Sequence, residues 1–192
     1  MKRLLVINGN PKEKSLCKAL SESYAAGASS SGFHVDLIHL GDASFDPILK
    51  SGYESKQELE SSLKEIKEKI LASDHIVLVY PIWWGSVPAV LKGVLDRIFL
   101  PGFAFKYDKG DFLPKRLLKG RTARIIVTMD TPIWYYKLIY GSPATKMMKK
   151  TVLEFCGISP VKVTEFGAVL KSSENKRQKW IAKVNKQGIL AI

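Results

Sequence analysis

Two stretches of this chain are unbroken apolar runs, Leu4-Leu5-Val6-Ile7 and Ile76-Val77-Leu78-Val79-Tyr80. A strand with one wet face alternates apolar and polar residues, so a strand apolar throughout must be covered on both faces. That requirement demands a sheet with a layer on either side, and the rest of the sequence supplies the layers. Leu59, Leu63, Ile66 and Ile70 recur at steps of four, three and four with Lys and Glu between them, as one apolar stripe on a helix does. Residues 15–30, 87–99, 145–155 and 174–184 also read as helices, and 35–40, 123–129 and 161–168 as further strands. Residues 41–52 and 100–119 read as loop and irregular chain. Strands alternating with helices imply parallel pairing and right-handed crossovers. Five such units in 192 residues predict an α/β three-layer sandwich, a single domain over residues 1–192, with a five-stranded parallel sheet in the order 2-1-3-4-5.

Composition narrows the function class. No apolar run approaches the roughly 20 residues of a membrane-spanning helix, and the start of the chain is too short of apolar residues for a secretory signal. The expectation is a cytoplasmic protein with no membrane insertion. Cys17 and Cys156 are far apart and read as free thiols, and three scattered histidines, His34, His39 and His75, predict no metal site. The net charge of +12 fits anionic ligands as well as nucleic acid or a membrane surface. Its lysines are dispersed, with a modest crowd over residues 171–186, so no nucleic-acid partner is expected.

In an open parallel sheet the ligand site lies beyond the carboxyl ends of the strands, where strand order reverses. Three loops should meet there: residues 8–14, 81–86 and 130–142. The first reads Asn8-Gly9-Asn10-Pro11-Lys12-Glu13-Lys14 and is followed by Ser15 as a helix N-cap, ahead of Leu16 and Cys17. Free first-turn amides and nearby lysines make an anion site. Neither the phosphate-loop motif nor Gly-x-Gly-x-x-Gly is present. The second loop is Pro81-Ile82-Trp83-Trp84-Gly85-Ser86-Val87-Pro88. Adjacent tryptophans suit stacking on a flat apolar ligand, although one of the two is expected to be core. The third follows Thr128-Met129-Asp130-Thr131-Pro132 and places four aromatics in the seven positions 134–140. Of these, Tyr136 and Tyr140 are candidate hydrogen-bond donors to charge developing on a reduced ring. Cys17, near a helix start, could have a lowered thiol pKa; a small apolar core residue is the favoured reading. The three histidines lie away from these loops and receive no catalytic role.

The stretch from Pro81 to Gly93, with Pro81, Trp84, Pro88, Ala89, Leu91, Lys92 and Gly93 in place, and its continuation Asp96-Arg97-Ile98-Phe99, resembles the NAD(P)H:quinone oxidoreductase family of flavodoxin-like fold. Gly102-Phe103-Ala104-Phe105, Tyr107-Asp108-Lys109-Gly110, Asn10-Pro11 with Ser15-Leu16, and Phe45-Asp46-Pro47 are similar as well. The resemblance implies a homodimer carrying FAD, with FMN possible, that takes two electrons as hydride from NAD(P)H. It passes them in ping-pong order to a quinone or similar small-molecule electron acceptor. By position, Asn10, Ser15, Leu16 and Cys17 would hold the flavin phosphates, and Pro81, Ile82, Trp83, Trp84 and Gly85 the ring. Thr128, Met129, Asp130 and Thr131 would reach the ring's polar edge. The family's Thr-Thr-Gly-Gly after the fourth strand is replaced here, and its histidine before the loop proline is Asn10. Some relatives instead act as ancillary regulators of membrane transport systems, which is the alternative reading. In either case a cofactor, rather than a protein acid–base pair, carries the hard chemistry.

Overall fold

In the computed structural model, residues 2–110 and 112–191 are described. In chain order they form β1 (Arg3–Asn8), α1 (Leu16–Ser30), β2 (His34–His39), α2 (Ser61–Ala72), β3 (His75–Pro81) and α3 (Ala89–Ile98). After these come β4 (Phe105–Lys106), β5 (Lys115–Arg116), β6 (Thr122–Thr128), α4 (Ile133–Leu138), α5 (Pro143–Lys146), β7 (Val161–Phe166) and α6 (Glu174–Ile189). The five long strands pair in parallel as β2-β1-β3-β6-β7. Counting only the strands of this sheet, the order is 2-1-3-4-5, and the flavodoxin-like α/β architecture holds.

Alternation along the buried strands divides the core in two. Leu5, Ile7, Leu78 and Ile125 face α2 and α3. Leu4, Val6, Val77 and Ile126 face α1 and α6. The second layer is drawn in tightly, because a Cβ at Gly27 would stand 2.2 Å from the Asn185 carbonyl oxygen and one at Gly188 2.2 Å from that of Tyr24. On the other layer, buried Arg97 donates to Glu60 Oε2 at 2.9 Å, to the Glu58 carbonyl at 2.7 Å and to the Asp46 carbonyl. The loop after β2 is thereby tied to α3.

Several expected boundaries move, among them the end of α6, which runs on to Ile189 instead of stopping at residue 184. Residues 100–119 contain the antiparallel pair β4–β5. The helix expected at 145–155 begins earlier, with Pro143 at its first position, where a missing N–H costs nothing; it widens into π-helical turns over Met147–Glu154. The third loop is not continuous loop, since α4 occupies Ile133–Leu138 within it.

At the amino ends of the strands, His75 is buried, with Nδ1 2.6 Å from Thr122 Oγ1 and Nε2 3.2 Å from the Tyr24 hydroxyl. Burial, helped by the positive charge of Arg124, lowers its pKa to about 4.

Candidate functional site

The carboxyl ends of β1, β3 and β6 open onto one rim. After β1 the chain is fixed by its own side chains: Asn10 N donates to Asn8 Oδ1 at 3.1 Å, and Lys12 N to Asn10 Oδ1 at 3.0 Å. Asn8 Nδ2 lies 3.2 Å from His39 Nδ1. His39 therefore adjoins the first loop, contrary to the expectation that it lies away from it; parallel pairing sets Asn8 beside His39. Ser15 caps α1, its hydroxyl accepting from Lys18 N at 3.2 Å. The amides of Leu16 and Cys17 lie in the first helical turn, where no carbonyl within the helix can serve them. They sit at the positive end of the helix dipole.

Beyond β3, Trp83 and Ser86 exchange backbone hydrogen bonds at 3.0 and 2.9 Å. The two residues between them, Trp84 and Gly85, have φ of +49° and +72°. Positive φ at both centres is the geometry of a tight two-residue turn, which glycine adopts freely and tryptophan does not. Trp84 is fully exposed and Trp83 is 46% exposed, so the expectation that one of them is core is overturned. The strand ends at Pro81, and the turn lifts both indoles out of the protein. Such strain persists where surrounding structure enforces it and is concentrated at ligand sites. The Ile82 amide donates to the Thr128 carbonyl at 2.8 Å, joining this turn to the end of β6.

After β6, Asp130 Oδ1 accepts from Leu170 N at 2.9 Å, and Val169 N donates to the Met129 carbonyl at 3.2 Å. A wall of the rim is thus supplied by the segment between β7 and α6, which the sequence reading did not include. Arg177 follows on α6, donating to Ser172 Oγ at 2.9 Å, and it borders the same crevice.

Two cavities result. One of about 430 Å³ is bordered by Asn10, Lys12, Lys14, Ser15, Leu16, Cys17, Pro81, Ile82, Trp83, Thr128, Met129, Asp130, Val169, Leu170 and Arg177. Its neighbour, of about 490 Å³, is bordered by Ile82, Trp84, Gly85, Met129, Thr131, Tyr136, Tyr140 and Pro143. Ile82 and Met129 are common to both, so the two adjoin. All thirteen candidate cofactor residues line one or the other. The first is cationic and rich in backbone amides, and the second is aromatic.

Chemistry separates the remaining candidates. Cys17 Sγ is 3.2 Å from Thr128 Oγ1, and burial pushes the thiol up to about 11. It is a packing residue with no nucleophilic character at neutral pH. Tyr136 borders the aromatic cavity, but it is buried and its hydroxyl is engaged by Thr145, whose backbone N donates to it at 3.1 Å. Tyr140 borders the same cavity and is exposed. Among the described residues no group of three or more His, Cys, Asp or Glu could hold a metal ion, and no helix is long and apolar enough to cross a membrane.

A doubly wound sheet with its crevice at the reversal of strand order defines a class, and the chain belongs to it: a family described by its flavodoxin-like fold matches residues 2–187. An uncharacterized NAD(P)H oxidoreductase of Haemophilus influenzae is 28% identical over 187 residues, covering 92% of this chain and 89% of that protein. The ribosyldihydronicotinamide dehydrogenase (quinone) of Rattus norvegicus is 26% identical over 209 residues, covering 92% and 86%. Among solved structures, an FMN-dependent NADH-azoreductase from Bacillus anthracis in complex with FMN superposes with a TM-score of 0.77 at 21% identity, over 100% of this chain and 99% of that one. At that identity the likeness is one of fold.

Proposed function

We propose that this chain is a flavin-dependent NAD(P)H oxidoreductase that reduces quinones or similar acceptors by two electrons. One observation carries it: an amide- and cation-lined cavity and an aromatic cavity share a wall, as a ligand with an anionic tail and a flat ring requires. The residues fit such a group. Leu16 and Cys17 amides, with Lys12, Lys14 and Arg177, would hold the phosphates. Trp83, Trp84 and Gly85 would flank the ring, and the backbone of Thr128 to Thr131 would meet its polar edge. FAD is the flavin proposed, with FMN the competing occupant.

When bound, a flavin supplies hydride-accepting, two-electron chemistry. The chain supplies position and polarity. The aromatic cavity, bounded by Trp84, Thr131 and Tyr140, would admit NAD(P)H and the acceptor in turn, which gives ping-pong kinetics. Tyr140 would donate a hydrogen bond toward charge developing on the ring. Tyr136, its hydroxyl committed to Thr145, would keep α4 and α5 in register as a positioning residue. Trp84 and Tyr140, which border this cavity, are exposed, as are Trp134, Leu138 and Ile139 on or next to α4, a larger apolar surface than a monomer ordinarily leaves in water. A second subunit covering them would make the homodimer. Buried thiols at Cys17 and Cys156 suit a reducing cytoplasm.

The test is reconstitution with FAD or FMN in separate samples, followed by anaerobic addition of NADPH or NADH and then a benzoquinone. Visible flavin absorbance should bleach and return, and initial rates against the two substrates should give parallel reciprocal plots. A protein that stays colourless with both flavins would overturn the proposal.

A further inference from the structure

Part of the excess positive charge lies outside the crevice, over the last strand and the last helix. Residues 162–190 carry a net +5 of the chain's +12. On α6, Lys176, Lys179, Lys183 and Lys186 recur at steps of three, four and three, which places them in one stripe along the helix. Lys162 joins them from the edge strand β7: it shares a face with Thr164, which bonds Gln187 at 3.1 Å, and with Phe166, whose ring lies 6.0 Å from Lys183 Nζ.

None of these five lysines lies in an ion pair among the described residues. Lysines elsewhere commonly do: Lys69 with Asp36 and Glu65, Lys92 with Asp96, Lys106 with Asp108, Lys150 with Glu154. The one carboxylate near the far end of β7, on Glu165, faces the other layer and pairs with Lys137 at 2.9 Å. On α6 itself Glu174 is taken up by Gln178 at 2.8 Å.

The stripe borders a shallow groove of about 510 Å³ formed by Lys179, Ala182, Lys183, Lys186, Gln187 and Leu190. Leu190 and Ile189 are exposed at its end. A dense cation stripe fits any polyanion, but exposed aliphatic residues among the ammonium groups gain nothing from nucleic-acid phosphates. They do gain from a bilayer surface, where lysine stems and leucines reach the acyl boundary while the charges stay among the headgroups.

We infer that the α6–β7 face is a docking surface for anionic lipid membranes, peripheral and salt-sensitive. α6 is suited to this role because its inner face is seated closely on α1, so its outer face is presented as a rigid rod about 24 Å long. The proposal stands on this face alone and does not require the redox reading.

The experiment is co-sedimentation of the intact protein with phosphatidylcholine vesicles, with and without phosphatidylglycerol, across a salt series. The wild type should bind only the anionic vesicles and release as salt rises. Each lysine near such a surface is worth about fivefold in affinity, so Lys179→Glu/Lys183→Glu/Lys186→Glu should lose more than about 100-fold. Reversal of Lys56, Lys64 and Lys109, which changes net charge equally, should cost far less. A milder pair, Lys179→Gln/Lys186→Gln, should lose about 25-fold and serves if charge reversal disturbs the helix. Equal losses in the two triple variants, no binding to anionic vesicles at low salt, or equally tight binding to a DNA duplex would each overturn the assignment.

Discussion

The two ends of the same strands are built on opposite plans. At the amino ends, His75 is sealed in between Tyr24 and Thr122, with all three joined by hydrogen bonds. At the carboxyl ends, a strained turn holds two indoles in solvent, and first-turn amides face an open crevice. Burying a polar group is tolerated when it is partnered, and exposing large apolar groups is tolerated when something else covers them. The amino end therefore reads as stability and the carboxyl end as binding. Substitutions should separate the two.

The largest expected effect is at Trp84. Trp84→Ala should weaken flavin binding by about 10- to 100-fold, the loss of one well-packed aromatic contact, with little change in melting temperature. Trp180→Ala, which removes a ring 5.1 Å from Phe166 in the core layer, should lower the melting temperature and leave flavin affinity nearly intact. Equal flavin loss in both variants, measured by fluorescence titration, would remove the assignment of Trp84 to the ring.

The complementary test is pH. His75 titrates at about 4 in the folded protein against 6.5 ordinarily, because burial disfavours its charged form. The unfolded chain therefore binds the proton more readily. The stability that this neutral His75 contributes is complete above pH 6.5 and is lost as pH falls from there toward 4. Between pH 7 and pH 5 the loss is about 2 kcal/mol, measurable by urea denaturation. His75→Gln should flatten that part of the curve and leave flavin affinity unchanged.

Smaller effects test the cationic end of the crevice. Ser15→Ala removes the cap of α1 and should cost about 1 kcal/mol of stability, with a modest loss of flavin affinity as the first turn frays. Cys17 should resist alkylation in the folded protein at neutral pH and react once unfolded, because its pKa of about 11 keeps it a thiol. Rapid modification of the native protein would show that the crevice floor is more open than the structure describes.

The features that could be read from the sequence are those written locally. Ser15 as a cap, the apolar runs of β1 and β3, and the loop over residues 81–86 each depend on a few adjacent residues. Arg177, Val169 and Leu170 could not be read in this way. They reach the crevice because Ala168 adopts a φ of +54° and α6 is drawn onto α1, both consequences of tertiary packing. His39 was misplaced for a related reason, since its contact with Asn8 follows from strand register. Helix α4 was hidden because its aromatics are split, with Tyr136 buried and Trp134 in solvent, so no apolar stripe stands out over six residues.

A structure of the protein solved with FAD or FMN tests the central assignment most directly. The phosphates should lie against the amides of Leu16 and Cys17, with the ring between the Pro81–Gly85 turn and the Thr128–Thr131 backbone. A flavin found away from this rim, or a crystal grown in excess flavin that holds none, would contradict it.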